Sequence, residues 1–309
     1  KAKTISLTVL RADIYSHLVV IEQLSGINLN TLKTLIDERI SDLDETAVFT
    51  NCKLPLHGLN YFIRILSVGE ENNQTRALFE YISPTTDWTT KIPYGSYVSP
   101  LLSSSWLWLA FVSSFFINKY VEGLEICDKI IELDVFWQSC YWYMYLYFFR
   151  ALSLAHIYIK LENLDIDIAD EANTYHIPEK YNSVEKILTL VENCLNNLNK
   201  FDYCRNSECL SLTVEGIVLL LKKNSAEASK KLSSAMEKAE QLDVTYILAI
   251  LYELHGRIFW LENKPFLTIP MLQLAAQRYG IYGAKYKTKT LAEEIRLRDP
   301  RMNKVSLQS

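Results

Sequence analysis

Few side chains in this sequence stand at spacings that chemistry could use. Cys204 and Cys209 are separated by four residues, with Cys194 about three turns upstream. Such a group could respond to an oxidant or bind a metal, but without a second Cys or His pair it reads more simply as core or surface thiols. Asp165, Asp167 and Asp170 begin like a calcium loop, yet the central Gly and the Glu at the twelfth position are missing. A solvated acidic connection is the simpler reading, with an α-helical enzyme whose cleft lies near this loop as an alternative. His156 and His255 fall on helical patterns beside aromatic residues. Each is expected to be a packed, hydrogen-bonded histidine rather than a ligand. Lys285, Lys287 and Lys289, continued by Arg296, Arg298 and Arg301, alternate with Glu293 and Glu294 as in a salt-laced helix leading into a linker.

No phosphate-cradling glycine loop, kinase catalytic triplet or zinc-protease motif occurs. The chain is therefore expected to be non-catalytic and without cofactor or metal. With 32 Lys+Arg against 36 Asp+Glu the net charge is -4, which gives no general attraction to nucleic acid or an acidic membrane surface. The uncharged stretch between Lys91 and Lys119 is broken by Pro93, Gly95, Pro100 and Ser103 to Ser105. It leaves about a dozen apolar residues, short of the roughly 20 that a bilayer requires. This block and the aromatic run Phe136 to Phe149 read instead as helices clad on both sides at the centre of the fold.

The elements that must carry these residues are helices. In 309 residues, 49% hydrophobic and 22% charged, there are only 9 Gly and 8 Pro, too few to punctuate a β fold. Six cysteines without a paired framework fit a reducing, cytoplasmic compartment. Residues 5 to 24 and 29 to 43 form one expected helix pair turning at Ser25-Gly26. Shorter helices are expected near Tyr61 to Ser67 and Gln74 to Ile82. From Trp106 the helical period runs to about Arg298, interrupted at Leu164 to Pro178. The organisation expected is an irregular helical region over 1–100, helical repeats over 101–298 and the start of a linker over 299–309. The opening Lys1-Ala2-Lys3-Thr4 reads as a piece of a longer protein.

Repetition is the strongest signal. Leu212 to Ala235 and Tyr252 to Ala275 align at a constant offset of 40, pairing Gly216 with Gly256, Leu232 with Leu272 and Ala235 with Ala275. In each unit a Gly on one helix precedes by 16 residues a Leu on the next, so the small residue can admit the large one. Asn224 with Glu227 reads as a capping box, and Pro265 suits a first helical position. Another unit is inferred from Trp106 to Leu133, turning near Lys119 to Gly123. The spacing resembles the tetratricopeptide repeat, though that repeat has an interval of 34, Thr268 replaces a small residue, and no Pro closes either unit. The expected fold is all-α: a tetratricopeptide-like α-solenoid of antiparallel helix pairs wound as a right-handed superhelix. Counting from the glycines, Thr213, Ile217, Glu253, Arg257 and Trp260 are expected to line a partner-binding groove.

Tyr282, Gly283, Ala284, Lys287 and Leu291 resemble the closing signature of the helical array in fungal hybrid histidine kinases. There an aromatic precedes Gly-Ala, with a Lys three beyond the Ala and a Leu four beyond that. Phe148 to Tyr158 is similar to another stretch of the same family. The resemblance covers about residues 100 to 298, with Tyr282 where the family usually has Trp. It implies a protein-interaction module lying after an ATPase-like region and before GAF, histidine-kinase and receiver regions in a stress-signalling phosphorelay. The partner would be a response regulator or another signalling-kinase component, and a homo-oligomer stays open. The alternatives are a redox-responsive module acting through Cys204 and Cys209, or a stand-alone adaptor unrelated to a kinase.

Overall fold

The computed structural model describes residues 18, 22, 24–44, 62–67, 100–132, 142–162 and 177–298. These residues are all-α, with no strand among them. We label the helices α1 (Leu29–Asp44), α2 (Pro100–Phe116), α3 (Tyr120–Glu132), α4 (Trp142–Glu162), α5 (Val184–Leu198), α6 (Ser207–Leu221), α7 (Ser225–Gln241), α8 (Thr245–Leu261), α9 (Pro265–Tyr282) and α10 (Lys285–Arg298). The expected turn at Ser25-Gly26 and the helix near Tyr61 to Ser67 are present. The helix expected over Gln74 to Ile82, Asp165, Asp167 and Asp170, Cys52, Cys140 and the 299–309 tail lie outside the described residues.

One turn design ends five helices. At Asn118, Lys223, Asp243 and Asn263 the backbone enters the left-handed region with φ of 63°, 60°, 56° and 59°, and Gly283 follows at 101°. Each of these five donates its amide to the carbonyl three residues back, and the next residue donates to the carbonyl five back. This is the Schellman arrangement, which satisfies the orphan carbonyls of a helix end. From Lys223 to Gly283 the turns recur every 20 residues, so the 40-residue unit holds two helices and two equivalent exits. The first of the five places its turn at Ile117 to Lys119, ahead of the 119–123 segment expected, and Gly123 lies inside α3. Asn224 caps α7 by accepting from the Glu227 amide, and Pro265 occupies the start of α9.

The glycines do what their offset implies. A Cβ on Gly216 would come 3.1 Å from Leu232 Cδ2, and one on Gly256 would come 3.0 Å from Leu272 Cδ2. Ala235 and Ala275 are fully buried, and the Cys209 thiol of α6 donates to the Ala235 carbonyl of α7 at 3.3 Å. In the α2–α3 pair the small residue sits on the second helix instead: a Cβ on Gly123 of α3 would come 3.1 Å from Ser114 Cβ of α2.

α4 is hydrophobic almost all round because it contacts α2, α3, α5, α6 and α8. Phe148, Phe149, Leu152, Leu154 and Ala155 are all buried. Early and late chain also meet. Phe116 stacks on Tyr282 with centroids 6.1 Å apart, the Asn28 side-chain amide donates to the Ile281 carbonyl, and the Tyr246 hydroxyl donates to the Leu24 carbonyl. In an open solenoid each unit touches only its neighbours; these contacts join residues more than 150 positions apart.

Two substitutions test this packing by chemical denaturation. Gly256→Val should destabilise by about 2–3 kcal/mol, the cost of forcing methyl groups into a closed core. Lys223→Gly should stabilise by about 0.5–1 kcal/mol, since the left-handed strain of a residue with a Cβ exceeds the worth of its exposed ion pair to Glu162.

Candidate functional site

Three of the five expected groove residues converge on one buried cluster of charges. Glu253 is 1% exposed on α8, one helical turn before Arg257. Its carboxylate accepts from the Tyr279 hydroxyl at 2.7 Å, from Lys287 Nζ at 3.0 and 3.2 Å, and from Arg257 Nη2 at 2.9 Å. Arg257 then grips Glu294 of α10 through two bonds of 3.0 Å. Lys287, also 1% exposed, donates to Asn118 Oδ1 at 2.6 Å and to the Tyr120 hydroxyl at 3.3 Å. Tyr120 stacks on His156 of α4 with centroids 4.5 Å apart. At the outer end Arg298 pairs with Glu294 at 2.8 Å and lies over the Trp260 ring at 4.1 Å.

The electrostatics follow from this crowding. Burial pushes Glu253 upward, but Lys287 and Arg257 outweigh it and hold the carboxyl well below the ordinary carboxylate range. Burial draws Lys287 below the usual lysine value while Glu253 pulls it back. Its acceptors, Asn118 Oδ1, the Tyr120 hydroxyl and the Glu253 carboxylate, suit an ammonium, so the pair stands charged. Tyr279 is raised by burial and by the adjacent carboxylate, which keeps its proton available to Glu253. His156 is lowered well below its ordinary value by burial and is neutral.

This arrangement is saturated with the chain's own partners. Thr213 and Ile217 are fully buried, and the Thr213 hydroxyl donates to the Cys209 carbonyl. With Glu253 they turn inward instead of lining an open groove, because α6 and α8 both pack on α4. Arg257 is spent on two carboxylates, and Trp260, half-buried, is covered on one ring face by Arg298. Lys287, expected on a salt-laced surface, is instead the counter-ion of a buried acid. Tyr279, Asn118, Tyr120 and Glu294 belong to the cluster and were not expected from the sequence.

The thiols offer little chemistry. Cys209 is buried and pushed up to about 12 by burial. Cys204 is half-buried and also raised by burial, so neither is poised as the thiolate that an oxidant attacks. His255 is buried and stacks on Phe259 at 4.4 Å. It is packed as expected, but neither ring nitrogen has a hydrogen-bond partner among the described residues. No group of three or more His, Cys, Asp or Glu able to hold a metal occurs among them. No helix there is long and apolar enough to cross a membrane. Compared with known proteins, the chain matches no protein-family model and no curated protein.

Removing one charge should expose how much the others depend on it. Lys287→Met and Glu253→Gln should each cost about 3–5 kcal/mol in denaturant unfolding, because each leaves a buried charge uncompensated. The double variant should cost less than the two together by about 1 kcal/mol or more.

Acid should weaken the fold in two stages. The unfolded chain takes up protons that native His156 and Glu253 refuse, so stability rises with pH across both windows. It should decline as pH falls below about 6.5, and again below about 4.3. Thermal melts of His156→Phe between pH 7 and 5 should show a smaller decline than wild type.

Proposed function

We propose that the chain is a non-catalytic helical-repeat module that binds other proteins. It would be built as a tetratricopeptide-like α-solenoid of antiparallel helix pairs. The observation that carries this reading is the recurrence, 40 residues apart, of the contacts Gly216 to Leu232 and Gly256 to Leu272. Supporting it, Cys209 on early α6 bonds to Ala235 on late α7 while Gly216, further along α6, meets Leu232, earlier on α7. Contacts that advance on one helix and retreat on the next are those of an antiparallel pair.

We further propose that the module serves a hybrid histidine kinase of the stress-signalling type. Support comes from the closing signature, in which each residue has a physical task. Tyr282, Ala284 and Leu291 are core, Gly283 makes the left-handed exit of α9, and Lys287 neutralises Glu253. A Cβ on Gly283 would also come 3.2 Å from Leu29 Cβ. The immobilised chain should retain the histidine-kinase and receiver regions of its own parent polypeptide; retention of neither would remove the phosphorelay role. A parent gene encoding no such regions would leave a stand-alone adaptor.

A further inference from the structure

The outer face of α9 differs from its own repeat in a way that packing does not require. Residues 231–240 on α7 and 271–280 on α9 show the same alternation of buried, half-buried and exposed positions. The two helices therefore hold equivalent places at the 40-residue offset. On α7 the exposed line runs Ala226, Lys230, Ser234, Gln241; on α9 the same positions are Phe266, Pro270, Leu274, Ile281. Phe266 is 72% exposed, Ile281 51% and Leu274 37%. Pro270 lies inside the helix and withholds the amide that would bond the Phe266 carbonyl, a costly choice on a surface that α7 fills with lysine. Exposed apolar residues aligned on one helix face mark an interaction site more than scattered ones do.

The charges around this stripe identify what covers it. α9 has a single charged residue, Arg278, which reaches Glu240 only at 3.9 Å. α10 begins with exposed Lys285 and Lys289, and neither has an ion partner among the described residues. Thr288, between them, donates its hydroxyl to the Ala276 carbonyl, so this turn of α10 borders the stripe. A second copy of the chain would bring lysine toward lysine. Gln273 and Gln277, exposed beside the apolar positions, offer hydrogen bonds that a lipid tail could not return. We infer that the outer face of α9 docks an amphipathic helix of another protein, with apolar residues three and four apart and acidic residues on the flank toward Lys285 and Lys289. This rests on the interaction-module reading and names its surface and the chemistry of its partner.

The test is selection of a phage-displayed library of helical peptides on the wild-type chain. The counter-selection target is Phe266→Ala/Leu274→Ser/Ile281→Gln, which copies α7. Enriched peptides should be net acidic with apolar residues at helical spacing, and should bind the triple variant about ten-fold or more weakly. Lys285→Glu/Lys289→Glu should weaken the same peptides and leaves the apolar stripe intact, so the result does not hang on one variant's folding. No enrichment, enrichment without acidic character, or equal binding to the triple variant overturns the inference. So does stripe-dependent dimerisation in sedimentation, or stripe-dependent binding to phosphatidylserine vesicles. If the parent's kinase and receiver regions bind wild type and triple variant alike, the module reading stands and the α9 assignment falls.

Discussion

A carboxylate sealed from water must be neutralised where it lies, and Glu253 sets that condition for much of this fold. Its two oxygens collect donors from α8 itself, from Tyr279 on α9 and from Lys287 on α10. Lys287 in turn fixes the α2–α3 turn through Asn118 and Tyr120. Four stretches of chain are thereby held in one register by directional bonds, where apolar packing alone would tolerate slippage. Buried ion pairs of this kind contribute little net stability over a hydrophobic substitute.

The same cluster explains why the inward side of the repeat is closed. A Glu and an Arg one turn apart on the first helix of a pair resemble groove residues when α8 is considered by itself. With α4 packed against α6 and touching α8, and the 118–120 turn laid on α10, Glu253 is sealed by protein and Arg257 is largely covered by the two carboxylates it binds. The ion pairs that stay exposed, such as Lys231 to Glu215 and Lys238 to Glu208, contribute little energy individually.

Legibility in the sequence followed the range of the interaction. Gly216 with Leu232 and Gly256 with Leu272 lie within 16 residues of each other, and their offset announced the contact. The caps at Asn224 and Pro265 are local and were equally plain. The left-handed exits were not read: Asn118, Asp243 and Asn263 are of the types that tolerate positive φ, but Asn and Asp also serve many other turn roles, and Lys223 gives no such signal. The pairing of Glu253 with Lys287 had a readable half. Lys287 falls between Ala284 and Leu291 on the apolar face of α10, where an unpaired ammonium could not remain. Its other acceptor, Asn118, lies 169 residues away, and no local pattern reports a contact of that span.

The contact between Lys287 and Asn118 has a consequence for how such a chain can vary. In an open stack, another 40-residue unit lengthens the molecule without disturbing the rest. Here a duplication between the α2–α3 turn and α10 would carry the lysine away from Asn118 and strand a charge in the interior. The stretch of chain between Asn118 and Lys287 is thus held to a fixed length by the bond that joins them, as a strap buckled at both ends admits no extra link.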